Sequence, residues 1–463
     1  MKKIIISLIL WLPMSLFGAK SVPISFNEYV DLMSVVWRLA GASEYNAPQS
    51  NPYLDSVDKH FADYKTHSAV QLAKSYYQIG VGYDAVASFG ALLAMADDGR
   101  IVFNPEMIND LDDRWGSGRQ EEFLPALNAF YADTHFHEWF VANKELQNNI
   151  LMAFQNVTRQ IDFDWLDSFF YKNDNAKFKI IVCPLACVNN YGVSHYSTDG
   201  AWILSPVISC MSYEKGKISF DTSSVLPIIV HEFCHPYCNP LIDKYWESIA
   251  PMAEQVFVQD SKLLMEQAYA NAETMMYETF VRASVIRYLQ EHYTAIEINV
   301  PRLIRTEESR GFILTQNMVE ALADYQTKRT ENADIEAFMP SLAKAINAFD
   351  LSQFRAQKIE EDKSRVQYEC NIVNGAENVP TGDVVVSITF DRPMCPSISL
   401  GMITAEFPKY KGHKWSDDHR TLNVTFNMEP NCTYGFQVMG SDFVAEDGNI
   451  AVESSIIFKT RAE

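Results

Sequence analysis

SSVLPIIVHEFCHPYCNP (residues 223–240) contains the pattern His-Glu-x-x-His, and how it is read decides the kind of domain built around it. In a helix, His231 and His235 lie one turn apart on one face, so both imidazoles reach a single metal ion. Glu232 stands beside them, placed to accept a proton from a metal-bound water. Zinc lowers the pKa of such a water toward about 7, and the glutamate serves as general base. The preceding VLPIIV is apolar, as the buried side of such a helix requires. Ser223 or Ser224 is expected to cap it, with Pro227 tolerated in the first turn. Pro236 works against the pattern. It removes a backbone donor, crowds the carbonyl of Glu232 and biases residue 235 away from helical geometry. The expected result is a helix that kinks or ends just after His235, with PYCNP as its exit turn. Cys234 points away from the His231/His235 face and reads as core, although a thiolate is a good zinc ligand.

A catalytic zinc needs a third protein ligand and an open position. NAETMMYETFVRAS (271–284) offers Glu273 and Glu278, which face different directions on one helix. Glu278 shares a stripe with Val281, Val285 and Tyr288. Its ordinary reading is a surface ion pair with Arg282, worth a few tenths of a kcal/mol. Glu273 has apolar neighbours too, so periodicity does not choose between them. The pattern HEFxH-xxx-NP, followed about forty residues later by E-T-x-VRA, comprises His231, Glu232, His235, Asn239, Pro240, Glu278, Val281, Arg282 and Ala283. It resembles a gluzincin-like family of secreted bacterial proteins of unassigned function, over most of 22–365. The resemblance implies Zn2+ held by His231, His235 and Glu278, with Glu232 as base. It implies no substrate.

Around this centre the chain reads as α+β. Helical patterns cover FNEYVDLMSVVWRLAG, where Ser25 and Glu28 form a capping box closed by Gly41, and then roughly 55–79, 120–142, 143–158 and 260–292, with more helix to about 365. FKIIVCPL (178–185) and AWILSPVIS (201–209) read as strands, joined by the turn-rich loop NNYGVSHYSTDG (189–200). Tyr191 and His195 in that loop are candidates for stabilising an oxyanion. A polar connection is the blander reading. HFHE (135–138) sits in an aromatic-rich helical stretch and reads as packed histidines rather than a second metal site. From about residue 367 short β-branched runs separated by Gly, Asn, Asp and Pro suggest a β-sandwich. NGAENVP (374–380), ITFDRPM (388–394) and DGNIAVESSIIFKT (447–460) resemble bacterial Ig-like domains, which implies a spacer or accessory module.

The N-terminus, MKKIIISLILWLPMSLFGAKS, has Lys2 and Lys3, an apolar run from Ile4 to Phe17, and small residues at Gly18 and Ala19. It reads as a signal peptide over 1–19, shorter than the roughly 20 apolar residues of a membrane span. No integral membrane segment is expected after its removal. The expected divisions are then 20–366, a zincin-like and mainly helical metallopeptidase domain with a small β-sheet, and 367–463, the Ig-like β-sandwich. Formal net charge is −21 over 463 residues, without a basic block, which excludes nucleic acid as a natural partner. Eight cysteines occur, with no CxxC. Cys183/Cys187 and Cys234/Cys238 are spaced unsuitably for disulfides if helical, so buried thiols are expected. These features together point to an exported zinc-dependent hydrolase, a metallopeptidase of peptides or proteins, located in the periplasm or at the cell surface. The competing expectation is a non-catalytic exported binding or adhesion protein that keeps a structural metal site.

Overall fold

Apolar residues spaced three and four apart build the helix Glu28–Ala40, whose Val30, Leu32, Met33, Val35, Val36 and Trp37 are fully buried. Its cap is Asn27, whose Oδ1 accepts from the amides of Tyr29 and Val30 at 2.9 and 3.1 Å. Ser25, expected in that role, lies instead in a short strand paired with Ile181. Gly41 closes the helix at φ 87°, the left-handed geometry that suits glycine. This computed structural model describes residues 22–47, 51–187, 189–209, 211–214, 216–267, 269–294, 298–330, 334–404 and 407–462. The signal peptide read at 1–19 and Cys210 lie outside them.

The chain divides into two compact units. One comprises the residues up to Ser248 together with Met276–Leu289 and Val319–Leu342. Trp37 packs edge to face on Trp115 and Phe123, as Phe89 does on Phe123, while Phe89 and Trp115 are tilted, a large apolar core with ring geometry suited to their quadrupoles. Its strands arise from the segments read as strand-like. Ile24–Ser25, Ile180–Val182 and Val207–Ile208 pair in parallel, while Ala176–Phe178 pairs with Trp202–Leu204, and Ser194–Tyr196 runs antiparallel to the latter. The loop between them is therefore more ordered than its turn residues suggest. Tyr191 bridges Val207, Ser194 lies opposite Leu204, and the Ser197 N–H donates to the Ala201 carbonyl, all in one antiparallel register.

The other unit comprises Ile249–Met275, Gln290–Met318 and Ala343–Glu463. Within it, residues 368–460 form two four-stranded sheets. Thr421–Met428 shows why: Leu422, Val424, Phe426 and Met428 alternate with less buried residues, so one face enters the core with Val386, Ile388, Phe390, Phe436 and Phe458. Among the described residues no disulfide forms. Cys183, Cys187, Cys234 and Cys238 are buried free thiols, as expected; only Cys234 and Cys238 share a helix, while Cys183 and Cys187 flank the short turn Pro184–Ala186.

Candidate metal centre

The helix carrying the motif runs from Thr222 to Glu266, with non-helical φ/ψ only at Asp260. Two expectations are corrected here. Asp221, not Ser223 or Ser224, ends the helix: its carbonyl accepts from Val225 N–H and its carboxylate from Ser223 N–H, so Pro227 lies in the second turn. The helix also continues through Pro236 with helical φ/ψ instead of ending after His235. A proline in a helix removes one backbone bond, at a cost of about 3 kcal/mol. Around it Phe233, Cys234, Tyr237 and Cys238 are all fully buried, and burial of several such side chains at roughly 1.5–3 kcal/mol each outweighs that loss. Asn173 Nδ2 also donates to the Pro236 carbonyl at 3.4 Å.

Because the helix is intact, His231 and His235 share a face, their ring centroids 5.0 Å apart. A second helix, Ala272–His292, brings Glu278 to them. His231 Nε2 lies 3.5 Å from Glu278 Oε2, and His235 Nε2 lies 3.6 Å from Oε1. One ligand atom from each of the three residues falls within 4.8 Å of the others, and this is the only such His/Cys/Asp/Glu group among the described residues. Zinc ligands at 2.0–2.1 Å in a tetrahedron are about 3.4 Å apart. The three side chains are therefore close enough together that they could hold a metal ion. Glu273 does not join the group.

The surroundings orient these groups. Asn239 Oδ1 lies 3.2 Å from His235 Nδ1. An amide oxygen accepts, so this contact suits the tautomer whose ring proton is on Nδ1. Arg282 Nη2 donates to Glu278 Oε2 at 2.9 Å. Sequence suggested an exposed pair here, but the side chains are only 9% and 12% exposed. Burial raises the Glu278 pKa, yet His231, His235 and Arg282 together hold it below the ordinary carboxylate value. For Glu232, burial dominates and pushes the carboxyl up to about 7, with Glu278 and Asp84 adding to the rise against His235 and Arg282. Burial likewise raises the Cys234 thiol, which stays protonated in the core.

Gly192 is the residue that sequence reasoning missed. A Cβ there would stand 2.3 Å from Glu232 Oε2 and 3.0 Å from its Cδ, so the strand backbone lies directly on the carboxylate. The only signal in the sequence was a lone glycine inside a segment read as a loop. This contact also settles the two oxyanion candidates. Side chains alternate along a strand, so the face of 192 and 194 meets Glu232, and 191, 193 and 195 face the opposite way. Tyr191 is buried against Tyr45, and His195 is buried with Nε2 at Ser88 O, 3.2 Å away. Burial pushes His195 down to about 4. Neither is brought to the centre.

The HFHE histidines, expected to be packed, are instead exposed. His135 and His137 are 73% and 59% exposed, beside Glu138 and Glu28, while Phe136 and Trp139 between them supply the burial. They form no metal group.

Fold and geometry thus define a mixed α/β chain with two histidines and a carboxylate converging from two helices beneath a strand. The chain belongs to the family described as Domain of unknown function (DUF4932), which matches residues 23–345. No curated protein matches it. Among solved structures it is similar to the S-layer protein rSbsC(31-844), at 13% identity over 50% of this chain and 33% of that one, with a TM-score of 0.17. Surface layer protein SbsC, domains 1-6, gives 13% identity over 54% and 35%, also at 0.17. The chain thus spans about a third of the length of these two proteins. Among the described residues no helix is long and apolar enough to cross a membrane.

Proposed function

We propose that this chain is an exported, zinc-dependent hydrolase of peptide bonds, gluzincin-like in its use of a glutamate as third ligand, with its β-sandwich an Ig-like accessory domain. The observation that carries the reading is the convergence of His231, His235 and Glu278 with the Glu232 carboxylate alongside, not hydrogen-bonded to any described residue. His231 Nε2, His235 Nε2 and a Glu278 oxygen would hold the ion. Zinc bound there supplies Lewis acidity, activating water at neutral pH and polarising a carbonyl. Glu232 takes the proton of the attacking water and returns it to the departing amine, a role suited to a carboxyl raised toward 7. Asn239 and Arg282 keep the ligands aimed.

The peptide class rests on the strand margin. Gly192 and Ser194 alternate with Tyr191 and Val193, whose backbone groups bond toward 205–207, so theirs point outward. Among the described residues these outward groups have no backbone partner, whereas the outward Tyr196 carbonyl accepts from Ile108. An extended peptide adding at 192–194 would place its backbone beside Glu232.

The β-sandwich favours a second reading, an exported binding or adhesion protein with a structural metal site. Glu232 separates the two. Zinc should be stoichiometric in the wild-type chain and in E232Q and absent from H231A, by mass spectrometry of the purified proteins. Hydrolysis of a peptide library should occur with wild type and fall by 10²–10⁴-fold in E232Q. Zinc binding without any hydrolysis by wild type would favour the second reading, and no zinc would remove both.

A further inference from the structure

Within the second compact unit, the helices Val300–Ser309 and Leu351–Ser364 and the segment 441–453 line a cleft of about 820 Å³, the size of a small-molecule site. Most of its charges are paired. Glu308 and Glu361 both hold Lys358, at 3.1 and 2.9 Å, and Asp362 holds Arg365 at 2.6 Å. Arg305 is different. Glu308, Glu361 and Asp442 all act on its charge, yet Lys358 engages the first two and Arg302 engages Asp442 at 2.8 Å. Arg305 makes no hydrogen bond or ion pair with a described residue, and its buried Nε has no acceptor. Burial, with Arg302 adding, holds its pKa below the ordinary guanidinium value. A buried donor without an acceptor is costly, and a ligand carboxylate would relieve it.

Asp260 lines the same cleft, at the break in the helix Thr222–Glu266, where φ is −118° and ψ 22°. Its carboxylate also makes no hydrogen bond or ion pair with a described residue, since Arg355 Nη2 donates to Gln259 Oε1 instead. Five carboxylates and four cations line the cleft, a balance that disfavours a multiply charged anion. Ile313, Ile359 and Val452 add apolar wall, and Ile359 is 58% exposed. We propose that this cleft binds a short zwitterionic peptide, its terminal carboxylate on Arg305, its terminal ammonium on Asp260 and an apolar side chain against Ile359 and Val452. A guanidinium suits the carboxylate because its planar fork meets both oxygens. The assignment does not depend on a metal at His231.

The test is isothermal titration calorimetry with Ala-Leu and Ala-Ala-Leu. The full chain carries E232Q throughout, so that hydrolysis does not consume the probe. At least one peptide should bind, one per chain. Amidating its C-terminus or acetylating its N-terminus should each weaken binding about tenfold or more. In R305M the free and amidated peptides should bind equally, and in D260N the free and acetylated ones. Thermal melts check that both variants fold. The blocked peptides remove each charge without altering the protein, so they decide the matter even where a variant does not fold. Absence of binding by both peptides at millimolar concentration overturns the proposal, as does binding that neither blocking group weakens. A loss on amidation that persists in R305M places the peptide elsewhere and refutes the role of Arg305. Inorganic phosphate that binds more tightly than either peptide, and is lost in R305M, makes the cleft an anion site and overturns the zwitterion.

Discussion

Replacing Gly192 by alanine should separate catalysis from stability. The added Cβ would stand 2.3 Å from Glu232 Oε2, whereas ordinary contact begins near 3.4 Å, so the carboxylate must withdraw by about 1 Å. The atoms it meets are the far end of a flexible side chain, and Gly192 has no positive φ that would strain an L-residue. An off-rotamer glutamate costs roughly 0.5–1.5 kcal/mol. Against this, alanine restricts the unfolded chain and stabilises by about 0.4–1 kcal/mol. Net stability should change by less than about 1 kcal/mol. A general base displaced by ~1 Å loses on the order of 10²-fold in rate. The assay compares hydrolysis of a peptide library, zinc content and Tm in wild type and G192A. Expected are full zinc, near-unchanged Tm and a roughly hundredfold loss of rate. Full activity in G192A would refute the placement of Glu232 as base under this strand, and loss of zinc and Tm together would show that the glycine serves the fold instead.

Asn239→Ala should leave the fold intact and weaken zinc binding about 10- to 100-fold, because His235 Nδ1–H loses its acceptor; unchanged affinity in a chelator competition would show that the amide does not orient the ring. Asp31 is fully buried, with Tyr53 OH donating to it at 2.6 Å. Burial pushes its carboxyl up to about 7, with Glu28 adding and Tyr53 and Cys183 opposing. The folded chain therefore keeps a proton that the unfolded chain releases near pH 4, and stability from this group is present below that pH and lost as pH rises through 7. Asp31→Asn should flatten the decline in urea-unfolding stability between pH 5 and 8, and an identical slope in both proteins would rule Asp31 out as its source.

Much of the centre was legible because it depends on short-range periodicity. His231 and His235 share a face in any helix, and Leu422, Val424, Phe426 and Met428 alternate in any half-buried strand. The same local rules failed at Pro236. The cost of one missing backbone bond is visible in sequence, whereas the burial that offsets it around Phe233, Tyr237 and Cys238 comes from residues far along the chain. Periodicity did not choose between Glu273 and Glu278, and only the family resemblance singled out Glu278. Only the approach of one helix to another brings Glu278 within 3.6 Å of both histidines and seals Arg282 against it. Tyr191 and His195 looked suitable while their segment was a loop, and strand register turned both away from Glu232. What the sequence determined by itself was the candidate ligand side chains and the helix and strand periods, since these are properties of neighbours. How Glu278 is brought to the histidines and held, and why residue 192 has no side chain, were decided by tertiary structure, because each depends on a contact between segments that the chain brings together only on folding.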